Sequence, residues 1–169
     1  DEARFELLVE DALITGSIDL LLKEDKAKNI NAAEVIDFKS MEVPDKLEEY
    51  DWREMSLQVQ LYSRAAKEVI GENAETGFVH TLKNNKRVKV PVDEKAVKNA
   101  IGAIEWAVKG ILHEDFPMRA CSANCKNCDY RALCRQEREQ FKRKEMPPAI
   151  STPAGEKIIA AFEEKDGES

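Results

Sequence analysis

The sequence predicts an α/β domain, a mixed β-sheet flanked by helices, followed by a cysteine-rich segment. Three observations predict it. Apolar residues alternate with polar ones near the start, as on half-buried strands. They recur at helical spacing over two later stretches, and a second pair of strand-like runs separates those stretches. Strands, helix, strands and helix in that order place helices against a mixed sheet, and the hairpins exclude an all-parallel doubly wound fold.

Residues 4–10 put Phe5, Leu7 and Val9 on one face, Glu10-Asp11 forms a turn, and residues 12–23 continue as β-prone sequence. A first hairpin is therefore expected. Residues 24–31 are charged and read as a turn; residues 34–40 carry Val35, Ile36 and Phe38 and read as a strand. Residues 41–51, with Pro44 and many charges, read as a loop. Residues 52–70 form the clearest helix, with Leu57, Leu61 and Ala65 on one stripe and Gly71 as its stop. Residues 76–82 and 87–92 make a second hairpin around Lys83-Asn84-Asn85-Lys86. Asp93 caps a helix running to about His113, whose core face is Val97, Ile101, Ile104 and Val108, with Trp106 also in the core. After Pro147-Pro148, residues 155–164 are amphipathic and read as a short C-terminal helix. The opening residues already resemble a strand, so the sequence is expected to be a portion of a longer protein.

The chain has 169 residues, 43% of them hydrophobic, enough for one domain with a true core. No apolar run approaches the roughly 20 residues needed to span a bilayer, and no signal peptide is recognisable, so an intracellular location is expected. A formal charge of −7 argues against indiscriminate coating of nucleic acid. The charge is uneven: residues 116–145 hold eight Lys or Arg against four Asp or Glu. No Gly-rich phosphate loop is present, which excludes a nucleotide-driven motor in this stretch.

The chemistry concentrates on two strands. Gly16-Ser17-Ile18-Asp19 lies on one, and Val35-Ile36-Asp37-Phe38-Lys39 forms the other. Alternation puts Asp37 and Lys39 on one face, and pairing with the Asp19 strand gathers two carboxylates and an ammonium. Paired carboxylates repel, and a hard divalent cation such as Mg²⁺ or Mn²⁺ relieves that repulsion. A cation there polarises a phosphate and acidifies water; the lysine holds or deprotonates that water, or stabilises developing charge. By itself Asp-x-Lys is a weak signal, met more often on a solvated edge strand. Its placement within an apolar strand is what gives it weight.

Gly16-x-x-Asp19, Asp37-x-Lys39 and Gln58-x-x-x-Tyr62, in this order, resemble the PD-(D/E)XK nuclease superfamily, and most closely its RecB/AddB-like branch, often fused to UvrD-type helicases. The resemblance implies a restriction-endonuclease-like fold and a Mg²⁺- or Mn²⁺-dependent deoxyribonuclease, expected to act as an exonuclease. It implies metal ligation by Asp19, Asp37 and the Phe38 carbonyl, catalysis by Lys39, and active-site and strand contacts by Gln58 and Tyr62. It further implies single-stranded or unwound DNA as substrate, a helicase domain as partner, and a role in recombination or repair. The family also carries a metal ligand on a helix upstream of the first hairpin, which this sequence begins too late to include. On this reading residues 1–115 are the nuclease core, 116–145 the cysteine segment with a helix, and 146–169 a linker and short helix. The rival readings are a DNA-binding module of the same fold without catalysis, and a cysteine-site domain that docks a protein partner.

Cys121, Cys125, Cys128 and Cys134 fall within fourteen residues, and they are all the cysteines of the chain. Four converging thiolates suit an iron–sulfur cluster or zinc; disulfides are the less natural reading inside a cell. The resemblance implies a [4Fe–4S] cluster on Cys125, Cys128 and Cys134, whose fourth ligand in that branch lies upstream of the nuclease motifs. Cys121 departs from that pattern as an extra local cysteine able to complete the site, and Zn²⁺ is the alternative. Arg131 and Arg135 beside them are candidates for phosphate contact, or else belong to a solvated helix face. His80 and His113 match no nucleophile–base pattern and read as structural or surface residues. Trp52 borders the loop after the acidic strand, where packing or base stacking are both open.

Overall fold

The structure, a computed structural model, describes residues 3–23, 33–43, 51–115, 129–130, 148–153 and 159–160. The cysteine set, Arg131 and Arg135 lie outside the described residues.

Strand β1 (Ala3–Val9) pairs antiparallel with β2 (Ala12–Ile18) in full register from Ala3↔Ile18 to Val9↔Ala12. Phe5, Leu7 and Val9 are buried and the residues between them are not, as the alternation requires. Gly16 sits directly opposite Phe5, where a Cβ would lie 2.7 Å from the ring. The glycine of the Gly16-x-x-Asp19 pattern thus leaves space for that aromatic side chain.

Residues 12–23, expected as one strand, are interrupted at Asp19. Beyond it β3 (Leu20–Leu22) leaves the hairpin and joins a five-stranded sheet of order β3-β4-β5-β6-β7. There β4 (Ala33–Lys39) runs antiparallel to β3 and parallel to β5 (Ala74–Thr81), and β5 pairs antiparallel with β6 (Lys86–Val90). The sheet is mixed, as expected. The edge strand β7 (Ile159–Ala160) pairs with β6 through Arg87↔Ile159 and Lys86↔Ala160. Those two residues belong to the stretch expected as a short C-terminal helix, and here their backbone extends the sheet instead.

Helix α1 (Arg53–Ala65) makes the crossover between the parallel strands β4 and β5, the connection such a pair demands. Its end widens into a π-helical turn, Ala66–Ile70, and Gly71 closes it in the left-handed region at φ 81°. The buried face of α1 differs from the expected stripe. Leu57 and Leu61 are only half-buried, while Ser56, Val59, Gln60, Tyr62 and Ser63 point inward with Ala65. The polar members of that face have work on the inside: Gln60 donates through Nε2 to the Pro91 carbonyl at 2.9 Å and the Ser151 carbonyl at 2.8 Å. It thereby ties residues 148–153 to the body.

Helix α2 (Glu94–Leu112) begins at Asp93, whose carboxylate accepts the Ala96 N–H at 3.1 Å, the cap expected from the sequence. Ala96, Ala100 and Val108 are its buried residues, with Ile101 and Ile104 packed partly on the core. Val97 and Trp106 are half-buried, because small alanines rather than the larger side chains form the closest seam against the body. The core brings Val35, Val79, Val88 and Val90 of the sheet against Val59, Tyr62, Ala65 and Ala66, with Phe5, Leu7, Val9 and Ile18 closing one side. No helix among the described residues is long and apolar enough to cross a membrane.

Candidate active site

The strand switch places Asp19. Pairing of β3 with β4 ends at Leu20↔Ile36, so Asp37, Phe38 and Lys39 extend past the end of β3. On that open edge Asp19 Oδ2 accepts the Phe38 N–H at 2.9 Å, doing for β4 what a further ladder bond would have done. A strand residue turns its N–H and C=O to the same side, so the Phe38 carbonyl also faces the Asp19 edge. The next residue obeys the alternation, since the Lys39 carbonyl accepts the Leu82 N–H at 2.9 Å on the β5 side.

Asp37, Lys39 and Val35 share the face covered by α1, and Ile36 and Phe38 take the other. Asp37 has no solvent exposure at all. Lys39 Nζ donates to Asp37 Oδ1 at 2.9 Å and to Gln58 Oε1 at 2.9 Å, and Gln58 Nε2 donates to the Tyr62 hydroxyl at 2.6 Å. Gln58 and Tyr62 are one helical turn apart on α1, which puts both amide and phenol over the strand pair. The four residues form one chain of polar contacts from carboxylate to phenol.

Asp37 Oδ2 lies 2.7 Å from the Lys39 ammonium as an ion pair, and it has no hydrogen-bond partner among the described residues. Burial raises the Asp37 carboxyl above the ordinary aspartate range; Lys39 pulls it down by hydrogen bond and charge, and Asp19 pushes it up again. A fully buried carboxylate with one oxygen unsatisfied, beside a second carboxylate, is an arrangement that an added cation relieves. Among the described residues no group of three or more His, Cys, Asp or Glu is gathered. The oxygen donors here are Asp19, Asp37 and the carbonyl edge of Phe38, a hard set that fits Mg²⁺ or Mn²⁺.

Trp52 is buried at the start of α1 and packs in the core with Val43, so it is no platform for a base. His80 is buried on the opposite sheet face, between Phe38, whose ring lies 5.1 Å away, and Arg87. Its Nδ1 accepts from Arg87 Nε at 3.3 Å, which leaves Nε2 to donate to Asn85 Oδ1 at 3.1 Å, a neutral imidazole with a structural task. His113 is exposed at the end of α2.

The turn between β5 and β6 does more than its residue types announce. Asn84 reaches the exit of β4, with Oδ1 accepting the Val43 N–H and Nδ2 donating to the Val43 carbonyl, both at 3.4 Å, while Thr81 Oγ1 donates to Asn84 Oδ1 at 2.7 Å. A hairpin turn expected only to reverse the chain is thereby fastened beside the acidic strand.

The model of one family, described as the PD-(D/E)XK nuclease superfamily, matches residues 1–135, a span that includes Asp19, Asp37, Lys39, Gln58 and Tyr62. A search of curated proteins gives no match.

Proposed function

The chain belongs to the PD-(D/E)XK nuclease superfamily, and from that premise we propose a metal-dependent DNA nuclease domain that hydrolyses phosphodiester bonds at Asp19, Asp37 and Lys39. The observation that carries this reading is Asp37: a fully buried carboxylate, one oxygen without a hydrogen bond, beside Asp19 and braced by Lys39. Burying such a group costs several kcal/mol unless charge and hydrogen bonds compensate, so a merely structural aspartate fits the position badly.

Asp19, Asp37 and the Phe38 carbonyl would hold Mg²⁺ or Mn²⁺, which when bound supplies Lewis-acid polarisation of a phosphate oxygen and eases deprotonation of water. The protein's own groups do the rest. Lys39 spends one N–H on Asp37 and one on Gln58, leaving the third for a phosphate oxygen or the attacking water. Gln58 fixes the ammonium, and the Tyr62 hydroxyl fixes which end of the Gln58 amide faces it. Asp19 holds the strand edge through Phe38 as well as offering its charge. The presence of all three charged groups in one contact set favours catalysis over a binding module that kept only the fold.

The finer reading follows the motif order: a RecB/AddB-like exonuclease acting on single-stranded or unwound DNA beside a helicase domain, in recombination or repair. Cys121, Cys125, Cys128 and Cys134 offer four soft thiolates, a donor set suited to a [4Fe–4S] cluster, with Zn²⁺ the alternative. Arg131 and Arg135 are proposed to contact phosphates near it. The test compares wild type with Asp37→Ala and Lys39→Ala on labelled single- and double-stranded DNA in Mn²⁺ and in EDTA. Cleavage by wild type in Mn²⁺ alone is expected, and equal cleavage by all three proteins would refute the assignment.

A further inference from the structure

From Thr76 to Val92 the chain contains Lys83, Lys86, Arg87 and Lys89 and no acidic residue, although the whole sequence has 33 acidic residues and a net charge of −7. The fold decides which of these cations concern the active site. Sheet register aligns Lys39↔Thr81 and Thr81↔Lys86, and residues paired directly across strands share a face. Lys86 therefore stands on the face of Asp37 and Lys39, two strands along, about 10 Å from Lys39 at the usual strand spacing. Arg87 and Lys89 alternate to the other face, where Arg87 lies over the Phe78 ring at 5.7 Å. Lys83 is exposed in the turn itself.

This turn is held in place rather than left as a free loop. Asn84 grips both backbone groups of Val43, and the Leu82 N–H donates to the Lys39 carbonyl. Thr81, fully buried between Lys39 and Lys86, is capped by the Asn84 side chain. Among the described residues, Lys83 and Lys86 have no ion-pair partner. Three like charges lie together near one strand end, in a protein with acidic residues to spare, and among the described residues no carboxylate crosses over to neutralise the outer two. Such an arrangement is complementary to a polyanion.

We propose that Lys83 and Lys86 bind phosphates flanking the scissile one, so that the β5–β6 turn guides a nucleic-acid strand past Lys39 on the β6 side. The assignment rests on the nuclease reading above and adds the direction in which the strand leaves the site. Both lysines are binding residues: they hold the strand and touch no reacting atom.

The experiment uses the full chain carrying Lys83→Ala and Lys86→Ala together, with Lys95→Ala/Lys98→Ala on α2 as a control of equal charge change. Binding of a labelled single-stranded DNA is followed by fluorescence anisotropy in EDTA across a salt series, and cleavage in Mn²⁺ gives KM and kcat. In the turn variant KM rises roughly tenfold at low salt with kcat at saturating DNA unchanged. The slope of log binding constant against log salt falls by about 1.4, at about 0.7 for each lost phosphate contact on a single strand. The control retains wild-type values. A turn variant with wild-type KM and salt slope, or a control showing the same loss, overturns this inference while wild-type cleavage leaves the nuclease reading intact. A wild-type protein that neither binds nor cleaves DNA refutes the nuclease reading, and this one with it.

Discussion

Replacing Gly77 by alanine tests whether the active site depends on the closeness of α1 to the sheet. Gly77 lies on β5 opposite Val35, and a Cβ there would come within 2.6 Å of both Val59 Cγ1 and Val92 Cγ1. Carbon atoms pack at about 3.5–4.0 Å, so the two valines must retreat by roughly 1 Å. Val59 is fully buried on α1, so its retreat is expected to carry the helix with it. Overpacking of this kind costs about 1–3 kcal/mol, and at about 2–4 °C per kcal/mol for a chain of this size the melting temperature drops measurably. Gln58 is the neighbour of Val59, so its 2.9 Å bond to Lys39 lengthens as α1 lifts. Urea denaturation gives the stability change, and cleavage under conditions where the variant is fully folded gives the effect on chemistry. Adding Val59→Ala to Gly77→Ala restores room on one side, and the pair is expected to lose less stability than the sum of the single changes. A Gly77→Ala protein as stable as wild type, or strict additivity in the double variant, would refute this packing argument.

Three further outcomes follow from the same structure. Gln58→Ala removes an acceptor from Lys39 and lowers kcat by about 10²-fold with little change in KM, in steady-state cleavage assays. Burial first, and then the charge of Arg87, hold His80 below the ordinary histidine value of 6.5. The folded state therefore resists protonation that the unfolded state accepts: stability is full above the unfolded value and is lost as pH falls below it toward the folded one. Urea midpoints of wild type should fall more steeply on acidification than those of His80→Gln, and parallel curves would contradict this. Anaerobically purified protein should contain iron and absorb in the visible; stoichiometric zinc in a colourless protein would replace the cluster with Zn²⁺.

Much of the fold was legible because each piece has one dominant local cause. Phe5, Leu7 and Val9 alternate because their hairpin buries a single face, and Asp93 is followed by a helix whose first turn needs an acceptor. What escaped depends on contacts between elements distant in sequence. Nothing local to Asp19 marks the end of a strand; the break arises because its carboxylate takes the Phe38 N–H, nineteen residues on. The leucine stripe of α1 was misleading because Gln60 earns a buried place only through carbonyls of Pro91 and Ser151. In the site, Asp37 and Lys39 were legible from strand alternation, but that Gln58 bonds directly to Lys39 required the crossover helix to be set on the sheet. The acid-free run from Thr76 to Val92 was visible in the sequence all along. Only the register shows that Lys86 shares a face with Lys39 while Arg87 does not.

The central claim is that Lys39 acts on the reacting phosphate or water, braced by Asp37 and Gln58. Single-turnover cleavage of labelled DNA by Lys39→Ala, at Mn²⁺ and DNA concentrations that saturate wild type, tests it most directly. The predicted result is a rate about 10²–10⁴-fold below wild type with DNA still bound and the protein still folded. A Lys39→Ala protein that cleaves at the wild-type rate would contradict the account.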